Sequence, residues 1–498
     1  MTLSRQRRRL VTAGVMVDSF VGAMEATIVA TAAPTIVADL GNIELFPWVF
    51  SVFLLTRTIG MPIWGRLSDI FGRRPTYLAG AGMFIVASAL AGSSGSMTQL
   101  IAWRALQGFG AGALLTVSQA ILGAIYPLEQ RAKIQGIFSS VWGFAAIIGP
   151  LVGGALADQA SWRWIFWINV PVGLVATAII GLFLVEEGVI RHRVRIDWPG
   201  AVLLAATLGT LLLSLLHVGE TGAWDLWATL LVVASAVIGT SLVVAERRAP
   251  NPILPIDLAR NRVVVASSVT TFFSGFSMYV AMAFVPIFMQ GVEGTTATGA
   301  GWRLTPLTIG WSVMASITGG VLLRVGYRRA GIAGMASLLA GSWLLVLLPQ
   351  DVADAIPFVA TFLIGAGLGV VGIAYLLAVQ NGVRHEHLGA ATAVNGFSRA
   401  VGGMVGTAAF GALLTARFRH ALPAGIDPDR LGDLVDPDLR GDLPAGVLDA
   451  LRDALSSAVG MVFLAGAIVA LIAFVASLAF PRGTPEELRA EREGVGAG

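Results

Sequence analysis

The chain has no cysteine in 498 residues, so disulfide frameworks, thiolate metal sites and cysteine nucleophiles are all excluded. Charge is scarce as well. Charged residues make up 13% of the chain, about half the ~25% of an ordinary soluble domain. A water-soluble globule is excluded by that shortage, and disorder is excluded by the 56% of hydrophobic residues. Lysine is nearly absent, Lys133 standing alone among arginines, and only five histidines occur. Two of these flank an acid in His385-Glu386-His387, but with no further ligands nearby no metal site is expected. The net charge is +3 and no basic stripe stands out, so nucleic acid is not an expected partner. What remains is a chain for the lipid bilayer, with 60 glycines suited to close helix packing.

A helix needs about 20 apolar residues to cross the ~30 Å hydrocarbon core. Fourteen segments qualify, at 10–38, 46–65, 76–93, 98–125, 134–157, 164–185, 199–218, 226–245, 263–289, 300–322, 330–348, 355–380, 388–415 and 454–480. The first is too long and too acidic to be a cleavable signal peptide. With the N-terminus inside, most of the 33 Lys and Arg fall in cytoplasmic loops, and an even number of spans returns the C-terminus to that side. A polar outer loop, 417–453, ends in the amphipathic stretch VLDALRDALSS.

The chain repeats itself. GRLSDIFGRRPTYL from Gly65 aligns with GGVLLRVGYRRAGI from Gly319, keeping Gly72 and Arg74 as Gly326 and Arg328 and replacing Asp69 by Leu323. IIGPLVGGAL from Ile147 aligns with MVGTAAFGAL from Met404. These offsets of 254 and 257 residues imply two halves of six helices with helices 7 and 8 inserted between them. The expected divisions are 1–186, a first six-helix half; 187–262, the inserted pair; 263–480, the second half; and 481–498, a cytoplasmic tail. Duplicated halves are a transporter signature, the cargo binding where they meet.

Ionisable groups deep in a span cost about 2.5–3.5 kcal/mol each on insertion scales. The well-embedded acids are Asp18 and Glu25, seven residues apart on one face of helix 1. If protons travel on carboxylates, helix 1 carries them. By depth, Asp18 is expected to pair with Arg57 and Glu25 to lie within reach of Arg104. Gly149-Pro150 removes a hydrogen bond from helix 5, and Gly153 and Gly154 flatten its face. Cargo-contacting candidates are Trp142, Phe272, Phe273, Phe276, Tyr279, Trp311, Tyr375 and Asn395, aromatic and amide side chains on the helices that would line a central cavity. No catalytic cluster is evident, and no enzyme is expected.

These motifs together carry a resemblance. Gly65, Asp69, Gly72, Arg73 and Arg74, the helix 4 set Arg104, Gln107, Gly108, Gly110 and Gly112, the helix 5 set Gly149, Pro150, Gly153 and Gly154, and SWRWIFWINVPVG from Ser161 resemble the fourteen-helix drug:proton antiporters of the major facilitator superfamily. Ile70 departs from the family's usual basic residue, and Glu25, two residues before Thr27, stands where the family usually has Asp. The resemblance implies an all-α polytopic fold and export of lipophilic, often cationic compounds, with lipid or an amphiphilic metabolite as the alternative cargo. It implies drive by a proton gradient without a cofactor, and a monomer. It also implies that Asp69 latches the outward-facing state and that helix 5 acts as seal and hinge. Arginine-rich, lysine-poor composition fits a GC-rich bacterial genome, so a bacterial plasma membrane is the expected location.

Overall fold

A computed structural model describes residues 4–31, 33–41, 46–186, 197–221, 224–250, 252–253, 256–295, 297–350, 353–384, 387–423, 426 and 444–481. Some helical side chains fall outside the description, among them Trp142, Pro150, Gly154 and Thr27. The described residues are helical, with no strand.

The first half consists of α1 (Arg5–Thr31), α2 (Ala33–Leu40), α3 (Phe46–Phe71), α4 (Arg73–Gly92), α5 (Met97–Ile125), α6 (Leu128–Gln159), the short α7 (Trp164–Trp167) and α8 (Asn169–Phe183). Next come α9 (Trp198–Thr221), α10 (Leu226–Arg248) and α11 (Ile256–Arg260). The second half contains α12 (Arg262–Gly291), α13 (Ala297–Val325), α14 (Tyr327–Val346), α15 (Ala355–Gly382), α16 (Leu388–Ala421) and α17 (Ala445–Leu478). The apolar segments of the sequence fall on these helices, 10–38 being shared by α1 and α2 and 164–185 by α7 and α8. Eleven helical stretches, among the described residues, are long and apolar enough to cross a membrane, α7 and α8 counting as one; α1, α6 and α13 are not among them. The amphipathic stretch before the last span is no separate helix but the opening turns of α17.

Packing repeats as the sequence does. The pairs α3–α5, α4–α5, α1–α6 and α1–α8 of the first half recur as α13–α15, α14–α15, α12–α16 and α12–α17. Between halves, α3 meets α16 and α6 meets α13. Gly72 and Gly326 both turn at positive φ, 93° and 83°, with ψ 158° in each. Glycine adopts that backbone without a Cβ penalty, so a sharp reversal between helices recurs at repeat-related positions. The helix 4 glycines recur too. Gly108, Gly110 and Gly112 in α5 have counterparts in Gly365, Gly367 and Gly369 of α15. Gly112 backs onto the Arg57 carbonyl, where a Cβ would stand 2.7 Å from the oxygen, and Gly369 backs onto the Trp311 carbonyl. The inserted α9 sets Leu204 and Leu208 against Ile59 and Ile63 of α3 and Phe397 of α16, covering that seam. Its partner α10 is largely exposed.

Candidate functional site

A brace inside the first half accounts for the most buried charges. Arg104 and Glu25 are each 1% exposed and form an ion pair. The Arg104 guanidinium also donates to Gln107 Oε1 at 2.7 Å and, through Nε, to the Val49 carbonyl at 3.1 Å. Asn169 Nδ2 donates to the other Glu25 oxygen at 2.7 Å, and Gln107 Nε2 donates to Ser88 Oγ at 2.8 Å. The Arg104 guanidinium sits 4.0 Å from the Phe53 ring centroid. A buried ion pair repays its desolvation only when its remaining hydrogen-bonding capacity is met. Here α1, α3, α4, α5 and α8 together meet it. In the second half Thr361 takes the place of Arg104, and its hydroxyl donates to the Arg303 carbonyl at 2.9 Å, the repeat counterpart of Val49. The clamp on the neighbouring helix is retained there without the charge.

Asp18 is placed differently. It is 2% exposed and lines a narrow cleft of about 10 Å³, room for about one water molecule, with Ser19, Gly22, Arg57, Ala111, Leu114 and Leu115. The expected Asp18–Arg57 ion pair does not form among the described residues; the two side chains share the cleft instead. The Tyr77 hydroxyl lies beside Asp18. Across the seam, Tyr279 is within electrostatic reach of both Arg57 and Arg399. Arg399 also faces the Trp311 ring at 5.9 Å.

The ends of α3 and α16 meet where the arginines of the turns cluster. Asp69 accepts the backbone N–H groups of Gly389 and Ala390, both at 2.8 Å, so a carboxylate of one half caps the first turn of a helix of the other. Unsatisfied amides and the helix dipole both favour an anion there. Gly65 lets α16 approach at Gly389 and Ala393. Glu186 does the same for α4 within the first half, accepting from the amides of Arg73 and Arg74 at 3.0 and 2.8 Å. Arg131 donates to Asn381 Oδ1 at 3.1 Å, and Asn381 donates to the Tyr327 hydroxyl at 2.6 Å. On the α6–α13 seam, Ser140 and Ser316 are 3.3 Å apart. Among the described residues, these side-chain bonds between halves all lie in the parts of the helices nearer the arginine-rich end.

The remaining candidates divide. Phe272, Phe273 and Phe276 meet edge-to-face or tilted on α12, with Phe276 edge-to-face against Phe410 and so turned into the second half. Asn395 donates to Thr271 Oγ1 at 3.2 Å. Tyr375 is fully buried, stacked on Phe480 just beyond α17, and packs in the core of the second half. Helix periodicity cannot tell an aromatic that faces a cavity from one that faces a sister helix when all sides are apolar. Gly149 and Gly153 are buried in α6, which runs unbroken through Pro150. The side chain of Trp142 lies outside the described residues. Sequence reasoning missed Asn169, Glu186, Asn381 and Tyr327. Asn169 was signalled by being an amide inside an apolar run and by its place in SWRWIFWINVPVG.

Two duplicated helical halves with buried charge at their junction and a capped seam at one end define a polytopic membrane transporter. The chain belongs to the major facilitator superfamily, whose family model matches residues 16–407. It is similar to the multidrug transporter protein MdtP of Bacillus subtilis (strain 168), 36% identical over 425 residues covering 85% of this chain and 78% of MdtP. Multidrug resistance protein 3 of the same organism is 32% identical over 495 residues, 96% of each chain. Among solved structures, the proton:xylose symporter XylE bound to 6-bromo-6-deoxy-D-glucose shares the fold with a TM-score of 0.62 at 13% identity, over 97% of this chain and 98% of that one.

Proposed function

We propose that this chain is a proton-coupled antiporter of a bacterial plasma membrane. It exports lipophilic compounds by alternating access, crosses the bilayer fourteen times and keeps both termini in the cytoplasm. The arginine-rich end is then the cytoplasmic end. Its capped seam makes this the outward-facing state, with Asp69 as the latch. The names of the Bacillus relatives support multidrug efflux, and proton coupling rests on α1. The observation that carries the coupling is the division of labour between its two acids. Glu25 has both oxygens engaged by Arg104 and Asn169, whereas Asp18 stands in a cleft with Arg57 and forms no ion pair among the described residues. Asp18 is the carboxylate free to exchange a proton as solvation changes between states, and Glu25 with Arg104 holds its helix in register. Glu25 offers a cationic cargo no open carboxylate in this state, so Asp18 is the carboxylate such a cargo would meet. The alternative cargo is lipid or an amphiphilic metabolite.

Proteoliposomes with a trapped pH-sensitive dye test the coupling. Addition of lipophilic compounds moves protons through the wild type, and Asp18→Asn abolishes that movement. Proton movement that survives in Asp18→Asn and is lost in Glu25→Gln moves the carrier role to Glu25. Survival in both variants defeats coupling on α1.

A further inference from the structure

The embedded charges do not balance. Five ionisable side chains lie deep in the helices outside the end regions: two acids, Asp18 and Glu25, and three arginines, Arg57, Arg104 and Arg399. Glu25 and Arg104 neutralise each other. Asp18 shares its cleft with Arg57. Arg399 is left over, with no acid in ion-pair range among the described residues and its Nε without a hydrogen-bond partner. A guanidinium is costly to place at this depth, and in membrane helices such groups mark ligand or ion pathways.

Its surroundings are specific. Counting along the helices at roughly 1.5 Å per residue, Arg399, Trp311, Arg57 and Tyr279 lie about 16–25 Å above the arginine-rich end, in the middle layer of the bundle. The Arg399 guanidinium reaches from α16 toward Gly372 of α15, where a Cβ would stand 3.4 Å from its nearer nitrogen. It faces the Trp311 ring, and Tyr279 is close enough to interact electrostatically with both Arg399 and Arg57. The internal repeat explains the arrangement. The offset of 254 carries Arg57 onto Trp311, and that of 257 carries Trp142 onto Arg399. At these paired positions the sequence of each half carries one arginine and one tryptophan, and the arginines fall on α3 and α16, which meet across the seam.

The geometry points to a cargo subsite for aromatic anions. The planar guanidinium of Arg399 takes a carboxylate or sulfonate in a paired hydrogen bond, Tyr279 donates its hydroxyl, and Trp311 stacks on the ring that bears the acid. This names the cargo class of the export reading and rests on that reading. Cargo with a flat apolar body and one anionic group satisfies the surplus positive charge, whereas a cation meets two arginines.

Counterflow tests this without a proton gradient. Proteoliposomes loaded with unlabelled 2-naphthalenesulfonate are diluted into tracer, and the cationic comparison on the same ring is 2-naphthyltrimethylammonium. Both probes are permanently charged and do not leak. The wild type accumulates the sulfonate and not the ammonium. Arg399→Gln raises the half-saturation for the sulfonate about tenfold to hundredfold, as expected for loss of a charged hydrogen-bond donor. Arg399→Lys keeps the charge and part of the affinity, and it serves as the folded control if the glutamine variant fails to purify as a monodisperse protein. Exchange of the ammonium alone, or sulfonate exchange indifferent to Arg399→Gln, overturns the inference and leaves export standing. If a folded wild type exchanges neither probe but still moves protons with other lipophilic compounds, only the subsite falls. If it does neither, the export reading itself falls.

Discussion

Replacing Asp69 with asparagine removes one charge at a junction between the halves and leaves the shape of the side chain in place. In the closed seam both carboxylate oxygens accept amide protons of α16 at 2.8 Å. Asparagine keeps one acceptor, neutral rather than charged, and presents an NH₂ to the second amide. A hydrogen bond to a charged group contributes about 1.5–3 kcal/mol net and a neutral one about 1. The charge at the helix N-terminus adds roughly 0.3–1 kcal/mol. Allowing for water that replaces these contacts when the seam opens, the closed state loses roughly 1–3 kcal/mol, a shift of about 5- to 150-fold in the population ratio. The absence of native cysteine makes the assay clean. Spin labels on cysteines placed at Ala79 and Ala333, exposed and repeat-related on α4 and α14, report the separation of the two halves. The wild type gives mainly the shorter distance, and Asp69→Asn moves weight to a longer one. An unchanged distribution in a folded variant would refute the latch.

Other outcomes follow from the brace, the helix crossings and the outer surface. Glu25→Gln strands the Arg104 charge in a dry interior and lowers stability by about 3–5 kcal/mol. Thermal unfolding in detergent reads the loss, and the double variant Glu25→Gln/Arg104→Met recovers much of it; equal losses in single and double variants would show that the pair is not coupled. Gly112→Val drives a side chain into the Arg57 carbonyl and prises α3 from α5, which costs roughly 1–3 kcal/mol or more. Gel filtration then shows less monodisperse protein, whereas the same change at Gly82, where nothing stands within 4 Å, is tolerated. Asp39, beyond the end of α1, is held below the usual carboxylate range by hydrogen bonds from the Arg163 guanidinium and then the Trp162 indole. A carboxylate lowered in the folded state stabilises above its unfolded value of about 3.9 and loses that contribution as pH falls through its folded value. Wild type and Asp39→Asn therefore differ in melting temperature at pH 7, and the gap narrows as pH falls below the unfolded value. A gap that does not change between pH 7 and strongly acid solution would rule out the charge as its source.

Much of the architecture was legible because a bilayer leaves few options. Long apolar runs must be helices. The repeat was visible in Gly72 and Gly326, and the matching positive φ angles give the reason: only glycine turns there without strain. The reach of Glu25 to Arg104 followed from depth alone. The pairing of Asp18 with Arg57 shows the limit of that reasoning, since depth brings two groups to one level and into one cleft without bringing their charged atoms into contact. Partners distant in sequence were out of range for the same reason. Asn169 lies 144 residues from Glu25, and Gly389 lies 320 from Asp69. Their meeting depends on how whole helices pack. The glycine triplet Gly365, Gly367 and Gly369 was in plain view at the offset already established, and it became meaningful only when its neighbours were seen.

The seam at the arginine-rich end has two unlike corners. Where α3 meets α16, a charged side chain holds the amides of the opposite helix. Where α6 meets α13, glycine and serine lie backbone to backbone, a Cβ at Gly136 being 2.7 Å from the Ser316 Cα. The second copy of the turn has Leu323 in place of the acid. On that side, among the described residues, Arg131 bonds the Asn381 side chain, and no helix end is capped by it. If the chain works by the alternating access proposed above, the halves are joined like a door, bolted along one edge and hung along the other. Drawing the bolt would then swing one half about the second edge, and in the proposed orientation cargo from the cytoplasmic leaflet would come in sideways, past the α9 helix that covers the bolted edge.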